Sequence, residues 1–345
     1  MSSSVTTRTN QRVSTPDLDT AAGLLRFGNL FCDAKVLLTA VQLGLFTLLE
    51  ERPATDAEIR DRLGLHGRGL SDFLRVLVSI GVLIEFKGFY RNACGAENHL
   101  VADAPGYIGG FLLGAEATLY PAYGNLAEAL RTGRPQSGGE FTDMLDDPAI
   151  LGQFVRMMGG LSDTLGPQLA TAFDWSSYRS VLDIGGCGGN LTGHLLVAHP
   201  QLSGHVFDLP QLEPFFDDRM AELGLTSRAR FHRGDFFRDE LPPAEVMIYG
   251  HVLSDWDPDQ RALLLGKAFA ALPPGGALLV YDRMLHPGEE DIENLVASLN
   301  MLLVTEGGGE YTVADLADQA VAVGFGSITH EAFSAYDTLV TCAKK

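Results

Sequence analysis

The sequence predicts an α/β protein in which a helical, winged-helix region precedes a domain built on a mostly parallel sheet. From Tyr178 onward, short apolar runs alternate with helical stretches, which is the pattern of a parallel sheet covered on both faces. The last two apolar runs have no helix between them and therefore predict an antiparallel edge. The chain has 345 residues, more than one domain of about 150 residues needs.

The composition is that of a packed globular protein and argues against two classes of partner. Apolar residues make up 46% and charged residues 20% of the chain. The 25 basic and 44 acidic residues give a formal charge of −19, which opposes binding to nucleic acid or to an anionic membrane. Apolar runs are too short for a membrane-spanning helix.

The four cysteines predict neither a disulfide framework nor a structural zinc site, because none are paired at CxxC spacing. A reducing compartment, the cytoplasm, is expected. Residues 1–18 contain no apolar segment of a secretory signal and are predicted to form a disordered tail. Arg8 and Arg12, with no acid before Asp17, leave a transit peptide as the alternative.

Residues 19–50 are predicted to be helical, because apolar residues recur there at spacings of three and four. The stripe consists of Phe27, Leu30, Phe31, Ala34, Leu37, Leu38 and Val41. Such a stripe packs either against its own domain or against a second subunit, and both interpretations are open.

A winged-helix pattern follows, and it completes a predicted domain over residues 19–105. Thr55 and Glu58 form a capping box, a second helix covers residues 69–80, and two extended pieces lie within residues 82–92. This unit serves either DNA binding or dimerisation. Arg75 is the only basic residue of the second helix, so dimerisation is favoured.

Residues 106–175 are predicted to be a helical connector, with a loop at residues 132–140. Residues 176–345 are predicted to form the sheet domain. Its apolar runs are SVLDIGG, GHVFDLP, ARFHRGD, EVMIYGH, GALLVYD, SITHEAFS and DTLVTCAKK. Helices are predicted near residues 189–198, 211–223 and 258–270.

The segment VLDIGGCGGN, residues 181–190, carries the strongest ligand-binding signal. A strand containing Asp183 runs into a glycine-rich turn that opens a helix, so the backbone can approach a ligand closely. An acid directly before the turn repels phosphate and attracts a cation, which favours a sulfonium and an amino acid over a pyrophosphate.

Acidic residues also end the next two strands. Asp208, at the tip of the second strand, is placed to accept both hydroxyls of a ribose. Asp235 is placed to accept from an adenine amino group, and Phe236 to cover the ring. The carboxyl edge of an open α/β sheet is where such folds bind ligands.

The order of VLDIGGCGG, FDLP, GDFF, HVLSDWDPDQ, LPPGGALLVYD and LNMLLVTEGGGEYT resembles the S-adenosylmethionine-dependent small-molecule O-methyltransferases. This family includes plant caffeate-type and acetylserotonin-type enzymes and bacterial natural-product tailoring enzymes. The resemblance extends from near Thr20 to the C-terminus. It implies a Rossmann-like catalytic domain, a homodimer, and S-adenosylmethionine as methyl donor, with S-adenosylhomocysteine as product. It also implies a hydroxylated, aromatic small-molecule acceptor that enters between the domains, lined in part by the connector.

The resemblance also implies roles for individual residues. Cofactor contacts are expected from Asp183, Gly185, Gly186, Gly189, Asp208, Leu209, Asp235, Phe236, Gly250 and Trp256. Acceptor contacts are expected from Met158, Ser162, Asn300, Met301 and Thr305. Catalytic roles are expected from His251, Ser254, Asp255, Asp282 and Glu310. Cys187 and Gly250 depart from the family, which usually has glycine and often lysine at these positions.

The largest departure is at Ser254, where the family typically has the histidine that removes the acceptor proton. A serine hydroxyl has no pKa near neutrality and cannot act as a base unaided. In the first account, methyl transfer needs little help from a base, because proximity and alignment supply much of the rate and an acidic phenol arrives ionised. Alternatively, Asp255, Asp282, Glu310 or His251 takes the proton. In a third account, the chain does not methylate oxygen, and its reaction is carbon methylation, or a hydroxylation or cyclisation without methyl transfer.

No metal is predicted. His251 and Asp255 are conceivable ligands, but Ser254 removes the ligand that a metal at this position would use. A DNA-binding regulator that senses the cofactor is the rival from another class, and the acidic charge of the chain opposes it.

Overall fold

The chain forms two compact units, Met1–Glu116 and Ala117–Lys345, in the computed structural model. The structure describes residues 16–102, 104, 106–137, 145, 147–288 and 291–345. Most of the predicted N-terminal tail, and part of the predicted loop 132–140, lie outside the described residues. The predicted domain boundaries at residues 105 and 175 stay predictions.

The first unit has the predicted winged-helix pattern. Its helices are α1 (Ala21–Gly28), α2 (Leu30–Gln42), α3 (Leu45–Glu51), α4 (Asp56–Leu63), α5 (Leu70–Ser79) and α6 (Cys94–His99). Its strands are β1 (Ala54–Thr55), β2 (Leu83–Phe86) and β3 (Phe89–Asn92), in the order β1-β3-β2. The Thr55 and Glu58 capping box is confirmed at the start of α4, whereas β1 was not predicted.

The predicted helical character of residues 19–50 is confirmed, but it is divided among three helices, because the chain breaks at Asn29 and again before α3. Gly44 adopts φ +69°, a left-handed conformation that ends a helix and favours glycine. The breaks divide the apolar stripe. Val41 is buried in the unit, whereas Phe27 and Phe31 are 49% and 58% exposed.

Membrane-spanning length was tested for the helices of the described residues. No single helix there is long and apolar enough to cross a bilayer, although the bent pair Ala21–Gln42 and Leu45–Glu51 passes together by length and composition.

The second unit carries the predicted sheet domain and its helices. Helix α7 (Gly109–Ala117) precedes it and belongs to the first unit except for its last residue. The following helices are α8 (Leu119–Tyr123), α9 (Leu126–Thr132), α10 (Pro148–Ala172), α11 (Asn190–Ala198), α12 (Glu213–Glu222), α13 (Pro258–Ala271), α14 (Ile292–Val304) and α15 (Val313–Val323). The strands are β4 (Ser180–Ile184), β5 (Ser203–Asp208), β6 (Ala229–Arg233), β7 (Val246–Gly250), β8 (Ala277–Asp282), β9 (Ser327–Ala332) and β10 (Thr338–Ala343).

The sheet order is β6-β5-β4-β7-β8-β10-β9, which confirms the predicted parallel sheet with an antiparallel edge. β4 is parallel to β5 and β7, and β8 is parallel to β7, so their carboxyl ends share one edge. β10 runs antiparallel to β8 and β9. The central strands are covered on both faces and are therefore apolar along their length, with Leu182, Ile184 and Val280 fully buried. The carboxyl ends of these strands carry polar residues, which lie together at one edge of the sheet.

Shortening a side chain in this core tests the packing of the sheet. Leu182 is 0% exposed, so Leu182→Ala leaves a cavity, and we expect the free energy of unfolding to fall by about 2–5 kcal/mol in denaturant titration. Leu263 is 50% exposed on α13, and Leu263→Ala is the matched control, with a change below about 1 kcal/mol. Equal effects of the two substitutions would contradict the assigned core.

Candidate active site

The glycine-rich turn after β4 needs left-handed backbone at three positions. Gly185 and Gly189 have φ values of +74° and +76°, and Cys187 adopts +51° although it carries a side chain. A Cβ atom on Gly185 would lie 2.9 Å from Val252 Cγ2, and one on Gly186 would lie 2.6 Å from the Asp183 carboxyl. The turn is therefore a close-packed cradle of backbone that leads directly into α11.

Two buried carboxyls flank this turn. Asp208 is 9% exposed and accepts from the Cys187 amide at 2.8 Å and from the Leu209 amide at 2.7 Å. Asp183 is 3% exposed and accepts from the Thr192 hydroxyl at 3.3 Å. Burial raises the pKa of Asp208 to about 6, against the effect of its two amides, and raises that of Asp183 to about 7. A cationic or hydroxyl-rich ligand would relieve both groups.

An aromatic group lies beside the turn. Phe236 Cε1 is 3.8 Å from the Cβ position of Gly185, and Trp256 packs edge-on against Phe237 with ring centroids 4.6 Å apart. The Trp256 indole N–H is buried and has no partner among the described residues. Asp235 accepts from the Phe237 amide at 2.9 Å and pairs with the exposed Arg238. Aromatic side chains with a carboxylate beside them are of the kind that pack against a flat ring with polar edges.

The end of β7 is shaped by Tyr281 of the neighbouring strand. A Cβ atom on Gly250 would lie 2.2 Å from the Tyr281 ring, so the tyrosine fills the space that a side chain at this position would need. His251 follows in a left-handed conformation with φ +52°. Its ring nitrogens lie 3.9 Å from Asp282 Oδ1 and 3.3 Å from Asp337 Oδ1, and burial lowers its pKa. Burial therefore favours the neutral form of the His251 imidazole, which lies between two carboxyl groups.

Ser254 lies against Asp282, as expected for residues of one site. The Ser254 hydroxyl donates to Asp282 Oδ1 at 3.3 Å, and the Tyr311 hydroxyl donates to Asp282 Oδ2 at 2.5 Å. Asp282 is 0% exposed, and burial together with the charge of Glu310 raises its pKa well above that of an ordinary carboxyl. The guanidinium carbon of Arg261 lies 4.5 Å from the centroid of the Tyr311 ring, and this cation–π contact holds the tyrosine in place.

The loop after α14 brings Glu310 to the same place. Its glycines permit a close approach to the Ser254 turn, since a Cβ atom on Gly308 would lie 2.6 Å from the Ser254 carbonyl oxygen. The Gly309 amide donates to that oxygen at 2.8 Å, and the Glu310 amide donates to Ser298 Oγ at 3.1 Å. Burial, and then the charge of Asp255, raise the pKa of Glu310 to about 7. Burial raises the pKa of Asp255 to about 7 as well.

The expected acceptor residues fall into two groups. Asn300, Met301 and Thr305 lie on and after α14, where the Tyr123 hydroxyl donates to Asn300 at 2.9 Å and Thr305 bonds to the Met301 carbonyl at 2.8 Å. Met158 and Ser162 are half-buried on α10. That helix packs against the glycine turn, because a Cβ atom on Gly188 would lie 3.2 Å from a Val155 methyl. The assignment of Met158 and Ser162 to the acceptor stays a prediction.

Sequence reasoning missed Tyr281, Tyr311, Arg261 and Asp337. Tyr311 directly follows Glu310, and Asp337 opens the last strand, so both stand within segments that the motifs singled out. The contacts of these residues depend on how distant segments are aligned in the sheet, and the sequence motifs do not specify that alignment. Among the described residues, no three His, Cys, Asp or Glu side chains are grouped so that they could hold a metal ion.

Comparison with known proteins identifies the relatives of this chain. A family model described as the O-methyltransferase domain matches residues 123–326, and one described as the O-methyltransferase dimerisation domain matches residues 25–102. The tetracenomycin polyketide synthesis 8-O-methyl transferase TcmO of Streptomyces glaucescens is 42% identical over 321 residues, covering 92% of this chain and 94% of the relative. The N,N-dimethyltransferase OxyT of Streptomyces rimosus is 38% identical over 311 residues, covering 88% and 90%.

A solved structure agrees with these relatives. The crystal structure of human N-acetylserotonin methyltransferase in complex with SAM matches with a TM-score of 0.88 and 28% identity, covering 96% of this chain and 99% of that one. The matched models span both units, and the glycine turn with its flanking carboxyls lies inside the matched methyltransferase domain. The chain therefore belongs to the O-methyltransferase family.

Proposed function

We propose that this chain transfers a methyl group from S-adenosylmethionine to a phenolic hydroxyl of a polycyclic aromatic polyketide. The observation that carries the proposal is the pair of buried carboxyls, Asp183 and Asp208, at the ends of adjacent strands around a glycine cradle. The choice of acceptor is supported by TcmO, a relative at 42% identity that is named as a tetracenomycin polyketide synthesis 8-O-methyl transferase. In this proposal the acceptor enters from the side of α10 and α14.

The residues present fit the methyl donor. Buried carboxyls need a positive or hydrogen-bond-donating partner, and a sulfonium amino acid with a ribose offers both. The tightly packed cradle at Gly185 and Gly189 leaves backbone, and not side chains, to face the ligand. The unpaired indole N–H of Trp256 offers a further hydrogen bond. When bound, S-adenosylmethionine supplies an electrophilic methyl carbon on a positively charged sulfur.

In this proposal the residues of the chain act mainly by position. Asp208 orients the ribose, and Phe236 lies over the adenine with Asp235 at its edge. Ser254, fixed by Asp282, holds the acceptor hydroxyl in line with the methyl group, and alignment of this kind supplies a large part of the rate in a displacement.

Transfer to an amine is a second candidate, because the relative OxyT is named as an N,N-dimethyltransferase. The buried carboxyls near Ser254 would also attract a protonated amine, so the site alone does not separate the two acceptor atoms.

We further propose that the enzyme is a homodimer through the exposed face of Phe27 and Phe31 on α1 and α2. This face lies in the segment matched by the dimerisation model, and apolar residues exposed together mark an interaction surface. A second copy of the chain is the occupant that this match supports. The four free thiols agree with a reducing compartment, and a cytoplasmic location is part of the proposal.

Label transfer tests the reaction. The purified protein is incubated with S-adenosylmethionine that carries a deuterated methyl group and with phenolic, aminated and keto polycyclic acceptors. We expect mass spectrometry to find the label on oxygen, since the hydroxyl is the proposed nucleophile. Label on nitrogen or carbon, or a changed acceptor without label, would reject O-methylation. A chain that binds the donor and modifies none of the acceptors would remove the support for this acceptor class.

Calorimetry tests the ribose contact. Asp208→Asn removes the charge of the acceptor group, and charge-assisted hydrogen bonds contribute about 1.5–3 kcal/mol, so affinity for S-adenosylmethionine should fall roughly 10- to 100-fold. Asp217 is exposed on α12, and Asp217→Asn is the matched control with unchanged affinity. Unchanged affinity for S-adenosylmethionine in the Asp208 variant would show that Asp208 does not contact the ribose.

Sedimentation tests the dimer. The double substitution Phe27→Glu and Phe31→Glu places charge on the exposed apolar face, and we expect it to yield monomers at concentrations where the unchanged protein is dimeric, because burying an unpaired charge is costly. Val321 is 61% exposed on α15, and Val321→Glu is the control, expected to leave the dimer intact. A dimeric double variant would locate the interface elsewhere.

A further inference from the structure

Glu310 presents a buried carboxyl oxygen, Oε2, that has no hydrogen-bond partner among the described residues. A buried acceptor without a donor is uncommon in folded proteins and calls for a specific explanation. The residue is fixed from its own backbone, since its amide donates to Ser298 Oγ at 3.1 Å. The next residue back, Gly309, is bonded to the carbonyl of Ser254. The backbone of this loop is thus held beside the Ser254 turn, and a ligand hydroxyl bound there would offer the free oxygen of Glu310 a donor.

Two other basic groups of this cluster are placed differently. Both oxygens of Asp282 accept hydrogen bonds, from Ser254 and from Tyr311, and the side chain is 0% exposed. The ring nitrogens of His251 lie 3.9 and 3.3 Å from oxygens of Asp282 and Asp337, although its Nε2 has no hydrogen-bond partner among the described residues. His251 therefore already faces two acidic partners, whereas Glu310 Oε2 is a free carboxyl oxygen on the loop that is hydrogen-bonded to the Ser254 turn.

We propose that Glu310 accepts the proton of the acceptor hydroxyl and so replaces the base that the serine at position 254 cannot provide. The inference rests on the proposed methyl transfer. As the hydroxyl oxygen bonds to the methyl carbon, the carbon–sulfur bond breaks and its electron pair stays on sulfur. The O–H electron pair stays on oxygen, and the proton passes to the Glu310 carboxylate and then to water. No oxidant or reductant is consumed.

The charges around Glu310 place its titration in the working range of a general base. The groups that act on it are Asp255, Asp282, Asp337, Arg261 and Arg283. Burial and the neighbouring acids raise its pKa to about 7, while the two arginines oppose them. Below this pH the carboxyl is protonated and accepts nothing, and above it the carboxylate is available. Activity therefore rises with pH through about 7.

The test compares two glutamates of one loop. Glu310→Gln keeps the shape and removes the base, so kcat for a weakly acidic phenol should fall roughly 100-fold or more, while the affinity for S-adenosylmethionine in calorimetry is kept. For an acidic nitrophenol-type acceptor that arrives ionised, the loss should be under roughly 10-fold, because no proton has to be removed. Glu306 is exposed on the same loop, and Glu306→Gln should leave both rates unchanged.

A titration without the methyl donor gives a second readout. Infrared difference spectra between the unchanged protein and Glu310→Gln should contain a protonated carboxyl band that disappears as the pH rises through about 7. Asp255→Asn removes a neighbouring negative charge, so the rising limb of the pH–rate profile should move to lower pH. This variant keeps the test decisive even where Glu310→Gln proves unstable.

The outcomes separate this inference from the methyl transfer on which it rests. If the unchanged protein labels no acceptor, the proposed function fails and the infrared titration alone decides whether Glu310 ionises near neutrality. If the unchanged protein is active, equal loss with both phenols, an unaltered pH profile in Glu310→Gln, or a rising limb that Asp255→Asn abolishes would each overturn the role of Glu310.

Discussion

The structure depends on the burial of carboxyl groups at the edge where the parallel strands end. Asp183, Asp208 and Asp282 close β4, β5 and β8, and all three are at most 9% exposed. An ionised carboxylate taken out of water is costly unless it is paired or protonated. The fold supplies part of the compensation from backbone amides and from hydroxyls of Thr192, Ser254 and Tyr311. This compensation is incomplete, because the pKa values of Asp183 and Asp208 are still raised, to about 7 and about 6.

The same constraint explains the unusual backbone of the site. Cys187 and His251 both adopt left-handed conformations that residues with side chains rarely occupy. Each follows directly on a strand or its turn, and each has its amide in a fixed hydrogen bond, Cys187 to Asp208 and His251 to the Tyr281 carbonyl. Backbone strain of this kind persists only where the surrounding structure fixes the conformation, and it is concentrated at functional sites. At Gly250 the Tyr281 ring has taken the available space, which accounts for the departure from lysine.

The cluster of carboxyl groups around Ser254 is intact although the expected histidine is absent. Asp282 and Glu310 are brought together as the resemblance implied, the Tyr311 hydroxyl donates to Asp282, and Asp337 faces His251. The glycine run before Glu310 lets its loop lie directly on the Ser254 turn, because Cβ atoms at Gly307 or Gly308 would come within 2.9 Å of Asp257 or Ser254. The loop that carries Glu310 and the turn that carries Ser254 therefore pack as one unit. The reactivity of this unit depends on which of its carboxyl groups has an oxygen without a hydrogen-bond partner.

The residue pattern alone was enough to predict the alternation of strands and helices along the chain, the glycine turn, the acids near the strand ends and the capping box at Thr55, because each is encoded by residues close together in the chain. The three-dimensional fold alone set the order of the strands in the sheet and the division of the apolar stripe, with Val41 buried and Phe31 exposed, since strand pairing and burial depend on what packs against each element. It also decided that Tyr311 bonds to Asp282 and that Asp337 faces His251. Those contacts require the antiparallel register that pairs Thr338 with Asp282, and register between distant segments is set by packing and not by local pattern.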